Sequence, residues 1–152
     1  MVDKREPVMD ANALMALLHA TFKQVADDFT VDDVKANEVT VRLKVGEKHL
    51  RPGGTVSGPS MFALADVSAY LVTLAMIGPK ALAVTTSCSL DFLRKPAAAT
   101  DLIAHAQILK LGRQLSVSHI LLYSDGHPAP VAQATMTYAI PPAGSKSDML
   151  MA

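Results

Sequence analysis

The sequence predicts an α+β fold, a curved antiparallel sheet wrapped round one long central helix. Three observations carry that expectation. From Ser60 to Ile77 apolar residues such as Met61, Phe62, Leu64, Val67, Leu71, Val72, Leu74 and Met76 occupy every side of the helix, and a helix apolar all round is surrounded rather than laid on a surface. Four strand-like segments joined by short turns follow it, and short turns imply antiparallel neighbours. Such a sheet has one face to bury, and the apolar helix is the element available to fill it.

Taken in order, Asp10 to Asp28 read as one or two short helices, with Asp10 as N-cap and Leu14, Leu17, Leu18, Phe22 and Val25 at helical spacing. From Asn37 to Val45 the period changes to two: Val39, Val41, Leu43 and Val45 face one way, Thr40, Arg42 and Lys44 the other. The preceding stretch, Phe29 to Ala36, is placed to pair with it. A loop from Gly46 to Ser57 then delivers the chain to Gly58-Pro59, where proline suits a first helical turn because its missing N–H would have been unpaired there. The helix stops at Gly78-Pro79. Strands are expected over Ala83–Leu93, Leu102–Leu111, Leu115–Tyr123 and Val131–Ile140, with turns at Gly112-Arg113 and Asp125-Gly126. In the first of these Val84, Cys88, Leu90 and Phe92 alternate with Thr85, Ser87, Ser89 and Asp91, so Cys88 reads as a small buried hydrophobe.

A length of 152 residues suits one domain, with a helical segment at about 10–28, a core at about 29–140 and a loosely ordered tail at 141–152. Fourteen basic and fourteen acidic residues balance, which gives no electrostatic reason to expect nucleic acid or an anionic membrane as partner. The low charge and apolar bias point instead to surface buried between subunits. Cys88 is the single cysteine, which excludes an internal disulfide and any CxxC metal site. Met1 to Asp10 is polar with no apolar h-region, so the expected location is cytoplasmic. Gly58 to Ile77 is near the length a bilayer needs, but it holds Ser60, Ser68 and Thr73 and lies between strands, so a buried core helix is the better reading and no membrane is expected.

Asp66 is the feature that calls for an explanation. An ionised carboxylate among Phe62, Ala63, Leu64, Ala65, Val67 and Ala69 is costly unless paired. The ordinary explanation is a least-buried stripe or a cap on a neighbouring turn. Against it, the helix carries no other charge with which to share such a stripe. Gly58 lies eight residues earlier (66 minus 58), a little over two turns, so both sit on roughly the same side, ~12 Å apart along the axis. The helix start offers free backbone N–H groups for a developing oxyanion, and the carboxylate offers a nucleophile or a base for water. Other candidates are weaker. Gly53 to Gly58 resembles neither a P-loop nor a GxSxG elbow, so Ser57 is first an N-cap or loop serine. The five histidines lack metal-ligand spacing, and no metal is expected.

The stretch from Arg51 to Pro96, RPGGTVSGPSMFALADVSAYLVTLAMIGPKALAVTTSCSLDFLRKP, resembles the core of the PaaI-like branch of the hotdog-fold acyl-CoA thioesterases. Ala65-Asp66 matches that family's alanine-aspartate pair within the central helix. Phe92-Leu93-Arg94-Lys95-Pro96 matches the strand end that follows, and Lys110-Leu111-Gly112-Arg113 the next hairpin; the likeness covers roughly Val39 to Ile140. The resemblance implies that Asp66 is nucleophile or general base, that the N–H of Gly58 is the oxyanion donor, and that Thr85 helps hold the attacking water. It also implies a homodimer or a dimer of dimers, a homotetramer. Coenzyme A, as part of an acyl-CoA substrate and not as a cofactor, then lies across the interface with Arg94, Lys95 or Arg113 near its phosphates. Met61 and Tyr70, with neighbours from a second subunit, are the residues expected to line the acyl group.

Three positions depart from the family pattern. Arg51 stands where the family has Asn, Ser57 where it has His, and Pro59 where it has a second Gly. Proline leaves Gly58 the only backbone donor at that step. Arg51 brings a fixed charge that replaces the amide as electrophile or holds an acidic acyl group. Losing the His counts against a hydratase or dehydratase on the same fold, while the altered loop leaves a non-catalytic acyl-CoA-binding protein as the other alternative to a hydrolase.

Overall fold

The first apolar stretch forms two helices because the chain turns out of helical geometry at Phe22 (φ −134°, ψ 50°). Helix α1 spans Ala11–Thr21 and α2 Lys23–Ala26. Asp10 caps α1 as expected, its carboxylate accepting from the Ala13 N–H at 2.8 Å. The computed structural model describes residues 5–144, so the expected loose tail lies outside the described residues from 145 onward.

Strands β1 (Phe29–Lys35) and β2 (Glu38–Leu43) form the expected hairpin, with Val39, Val41 and Leu43 buried. The loop to the long helix is more ordered than its Gly and Pro content implies. It contains a 3-10 turn over Glu47–His49 and a bridge between Leu50 and Val56, and Gly53 and Gly54 make the reversal between them at positive φ, 101° and 84°.

Helix α3 runs Gly58–Ile77, two residues earlier than the apolar pattern begins, because Ser57 caps it and Pro59 fits the first turn. It buries 13 of its 20 residues. Its buried hydroxyls are satisfied locally: Ser68 Oγ donates to the Leu64 carbonyl at 2.6 Å, and Thr73 Oγ1 pairs with Ser116 Oγ at 2.8 Å. The length and composition would allow a bilayer crossing, but this is the core helix, and 72% of its 18-residue apolar window is buried.

Strands β3 (Val84–Phe92), β4 (Leu102–Leu111), β5 (Leu115–Ser124) and β6 (Pro130–Ala139) complete one antiparallel sheet of six strands in the order β1-β2-β4-β5-β6-β3. Its concave face packs on α3 through Val41, Ala104, Ile120, Leu122, Ala134 and Met136, among others. Each such buried side chain removes apolar area worth about 1.5–3 kcal/mol when large. The sheet and helix thus form the expected α+β architecture, with α1 laid against β1 and α3.

Strand β3 corrects one expectation. Cys88 is exposed, not a buried hydrophobe. Its strand is an outer edge of the sheet, bonded to β6 on one side only. A second correction concerns alternation. The register slips between Thr85 and Ser87, so Thr85 pairs with Tyr138 while Cys88, Leu90 and Phe92 pair with Met136, Ala134 and Ala132. Directly paired residues share a face, so the bulge puts Thr85 on the helix side with Cys88, and Val84, opposite Ala139, on the other.

Candidate active site

That bulge completes a cluster around Asp66. Thr85 Oγ1 donates to Asp66 Oδ1. From β6 the Tyr138 hydroxyl lies 2.8 Å from the same oxygen and 2.9 Å from the Asp66 backbone carbonyl, so its single proton is shared between them. Burial, and after it the charge of Asp66, push the Tyr138 phenol well above its ordinary range, which keeps it a donor at every working pH. The Thr85 and Tyr138 contacts fall on Oδ1, and Asp66 itself lines a cavity of about 230 Å³. A carboxylate held on one oxygen by two hydroxyls is fixed in orientation with its other oxygen available for chemistry.

The cavity is walled by α3 (Val67, Tyr70), the α1–α2 junction (Thr21, Phe22) and the entry to β3 (Ala81, Ala83, Val84). Tyr70 is buried, donates to the Ala81 carbonyl at 2.9 Å and meets the Tyr138 ring at 6.0 Å between centroids. Its phenol too is pushed up by burial. Cys88, on the same face of β3 as Thr85, has its thiol pushed up by partial burial and by the Asp66 charge, so it is protonated at neutral pH.

Of the residues singled out in the sequence, Asp66, Thr85 and Tyr70 share this cavity. Gly58 opens α3 with the ring of Phe92 against it: a Cβ there would stand 3.3 Å from Phe92 Cζ. Ser57 is an N-cap, accepting from the Ser60 N–H at 3.3 Å and donating to Ser60 Oγ at 3.1 Å. Arg51 is exposed on the loop, its N–H bonded to the Thr55 carbonyl. Met61 is buried in the core cluster. Arg94 and Lys95 follow β3 in the open, Arg94 donating to the Pro130 carbonyl, and Arg113 sits at the β4–β5 turn beside a separate surface depression. None of these seven, Gly58 and Ser57 included, lines the Asp66 cavity.

Sequence reasoning missed two groups. Tyr138 reads as one more apolar residue on a strand, and only the pairing with Thr85 shows its hydroxyl reaching Asp66. His49 is buried with Nδ1 accepting from the Gly46 N–H at 2.8 Å, which leaves the proton on Nε2, 3.4 Å from Asp28 Oδ2. Its carbonyl accepts from the Ser57 N–H at 2.8 Å, so this pair anchors the loop that leads into α3. No group of His, Cys, Asp and Glu among the described residues has the arrangement of a metal site.

Comparison with known proteins bears on this geometry. The family model described as the thioesterase superfamily matches residues 53–131, from the loop before α3 to the start of β6. No curated protein matches the chain. Among solved structures, a protein from Silicibacter sp. assigned as a thioesterase is 56% identical, with 92% of this chain and 97% of that one covered and a TM-score of 0.85. A mutant of the phenylacetic acid degradation protein PaaI from Thermus thermophilus is 28% identical, covering 78% of this chain and 99% of its own, with a TM-score of 0.68. A hypothetical thioesterase protein from Streptococcus pneumoniae, solved with coenzyme A, shares the fold at 20% identity, 88% and 100% coverage and a TM-score of 0.72.

Proposed function

Because the chain belongs to the thioesterase superfamily and has the sheet and central helix of PaaI-like hotdog proteins, we propose that it hydrolyses acyl-CoA thioesters through the Asp66 carboxylate. The observation that carries this reading is the Asp66 carboxylate itself, held on Oδ1 by Thr85 and Tyr138 at the wall of a mostly apolar cavity. As a base, its other oxygen takes a proton from a water whose oxygen adds to the thioester carbonyl. The tetrahedral intermediate then collapses, the C–S bond breaks, and the coenzyme A thiolate leaves and is protonated. As a nucleophile, Asp66 adds to the thioester carbonyl, the coenzyme A thiolate leaves and is protonated, and water attacks either carbonyl of the resulting anhydride. Single-turnover hydrolysis in ¹⁸O-water identifies the second route when label enters Asp66, and trapping of the anhydride with hydroxylamine identifies it when water attacks the acyl carbon. Either way coenzyme A is part of the substrate, and the chemistry draws on no cofactor.

The oxyanion donor we assign to the N–H of Gly58. Within one chain, eight residues of helix separate the two groups by ~12 Å. Direct attack needs reacting atoms ~3–3.5 Å apart and a donor ~2.7–3.1 Å from the oxyanion, so the carbonyl that Asp66 attacks meets Gly58 of a second copy. Strand β3 offers the means of pairing: nine residues long, at the sheet's edge, with Asp91 its one charge. A homodimer, alone or paired again as a tetramer, is therefore part of the proposal. Arg94, Lys95 and Arg113 are proposed to meet the phosphates, and Arg51 to act near the thioester. The exposed Cys88 thiol and the coenzyme A substrate suit a cytoplasmic setting.

Thiol release from a panel of acyl-CoAs, wild type against Asp66→Asn, tests the reading. Asparagine still accepts from Thr85 and Tyr138, so the variant folds normally while hydrolysis falls at least ~100-fold. Wild-type turnover in a folded variant ends the assignment. A wild type that binds acyl-CoA and hydrolyses none makes the protein a non-catalytic binder. The hydratase reading loses ground because the Ser57 hydroxyl is taken up in capping α3.

A further inference from the structure

Resting on the thioesterase reading, we infer that the acyl group enters the cavity between Asp66 and Phe22, that it is uncharged and of short to medium length, and that Phe22 sets its length limit. The lining gives the charge. Asp66 is the only ionisable residue on the wall apart from two tyrosines, so a second carboxylate inside meets a like charge and no cation. The hydroxyls at the far end have no proton to offer it either. Tyr70 donates to the Ala81 carbonyl at 2.9 Å and Thr21 to the Leu17 carbonyl at 2.7 Å. An acyl carboxylate would be desolvated there without a donor.

The size follows from the volume. About 230 Å³ lies below the usual range for drug-sized ligands. At roughly 30 Å³ for a water-sized group, it holds on the order of six to eight heavy atoms. Phe22 stands next to Thr21 at the end away from Asp66, so an acyl chain that fills the cavity ends against its ring, which is 42% exposed. Phe22 sits where the helix breaks between α1 and α2, so its ring is replaceable without entering either helix interior.

The test compares hydrolysis of butyryl-, hexanoyl-, octanoyl-, dodecanoyl- and palmitoyl-CoA with that of adipoyl-CoA, which has the carbon count of hexanoyl plus a terminal carboxylate. The same chains are titrated calorimetrically as non-hydrolysable S-hexyl-, S-hexadecyl- and S-(5-carboxypentyl)-CoA. Wild type is expected to peak between about four and eight carbons and to disfavour adipoyl-CoA at least ~30-fold against hexanoyl-CoA. Phe22→Ala moves the optimum at least ~2 carbons longer and Phe22→Trp shortens it. Adipoyl-CoA within threefold of hexanoyl-CoA, a palmitoyl optimum in wild type, or a length profile that neither Phe22 variant moves overturns the inference. If no acyl-CoA is hydrolysed but S-hexyl-CoA binds tighter than its carboxylated counterpart and responds to Phe22, the pocket stands and the hydrolase reading falls. Equal binding of the two thioethers sinks the pocket.

Discussion

At one edge of the sheet β1 runs for seven residues and carries Asp32, Asp33 and Lys35; at the other β3 runs for nine and carries Asp91 alone. Strand β1 is backed by α1 and α2 and tied by Arg42, which reaches Asp32 at 3.2 Å, Asp101 at 3.2 Å and Asp125 at 2.8 Å. Asp125 foremost, then Asp101 and Asp32, push the Arg42 guanidinium further up from a range where it is already charged. Both strands are bulged, but with different results. In β1 the slip lies between Val31 and Asp33, on a charged edge; in β3 it turns Thr85 inward to Asp66. A protected edge carries charge and cover, and an edge that lacks both is available for pairing. The chemistry sits beside the bare one.

The largest expected effect breaks that bare edge. Ser87→Lys with Ser89→Lys gives β3 the like charges that natural edges use against pairing. Light scattering should report a monomer, and hydrolysis should fall on the order of 100-fold as the second copy's donor is lost. Thr30→Lys on β1 should leave assembly and rate unchanged. A wild type that is monomeric and fully active at micromolar concentration overturns the two-chain site.

Next in size is the hydroxyl pair on Asp66. Hydrogen bonds to a charged group contribute about 1.5–3 kcal/mol, so Tyr138→Phe and Thr85→Val should each lower kcat roughly tenfold or more with KM little changed. A fall in thermal stability with kcat unchanged would make Tyr138 a packing residue only.

Arg51 comes third. A guanidinium that donates to the thioester oxygen predicts that Arg51→Ala lowers kcat and kcat/KM together by at least threefold on neutral acyl-CoAs, and Arg51→Asn by less. A greater loss on adipoyl-CoA than on hexanoyl-CoA would mean that it holds an acidic acyl group instead. Changes below threefold for both variants return it to the surface loop where it lies exposed.

These tests also measure how far the sequence could be read. The central helix was legible because Gly58-Pro59 and Gly78-Pro79 bracket an all-round apolar run, and Asp66 stood out as its one charge. Strand limits fell within two residues because turn glycines mark them. What failed was β3. Period-two reading assumes unbroken alternation, and one bulged residue reverses it for Thr85, while Cys88 keeps the expected face and is exposed because β3 is an edge strand that local pattern does not reveal. Tyr138 was invisible for a related reason: register across strands 53 residues apart (138 minus 85) leaves no local signal. His49 and Asp28 are likewise joined only by the fold.

That last pair supplies the smallest prediction, on the protected side. Asp28 lies just before β1, with Lys48 Nζ at 2.7 Å and His49 Nε2 at 3.4 Å. Burial pushes its carboxyl up, but hydrogen bonds and charge from Lys48 and His49 together outweigh it, so the folded-state pKa lies below the ordinary value. A depressed folded pKa adds stability above the unfolded value, roughly 3.9, and that stability is lost as pH falls through the folded value. Asp28→Asn should therefore lower Tm at pH 7 and lower it less in acid, once the pH has fallen through the folded value and the wild-type carboxyl is itself protonated. The Asp28 contacts are partly exposed, so the loss at pH 7 is small, a degree or a few. His49→Gln should cost more than Lys48→Ala, since His49 is buried and its Nδ1 accepts from the Gly46 N–H. If Asp28→Asn is equally destabilised at both pH values, the pair acts by packing and not by charge. The β1 side would then owe its rigidity to α1 and α2, not to its ion pairs.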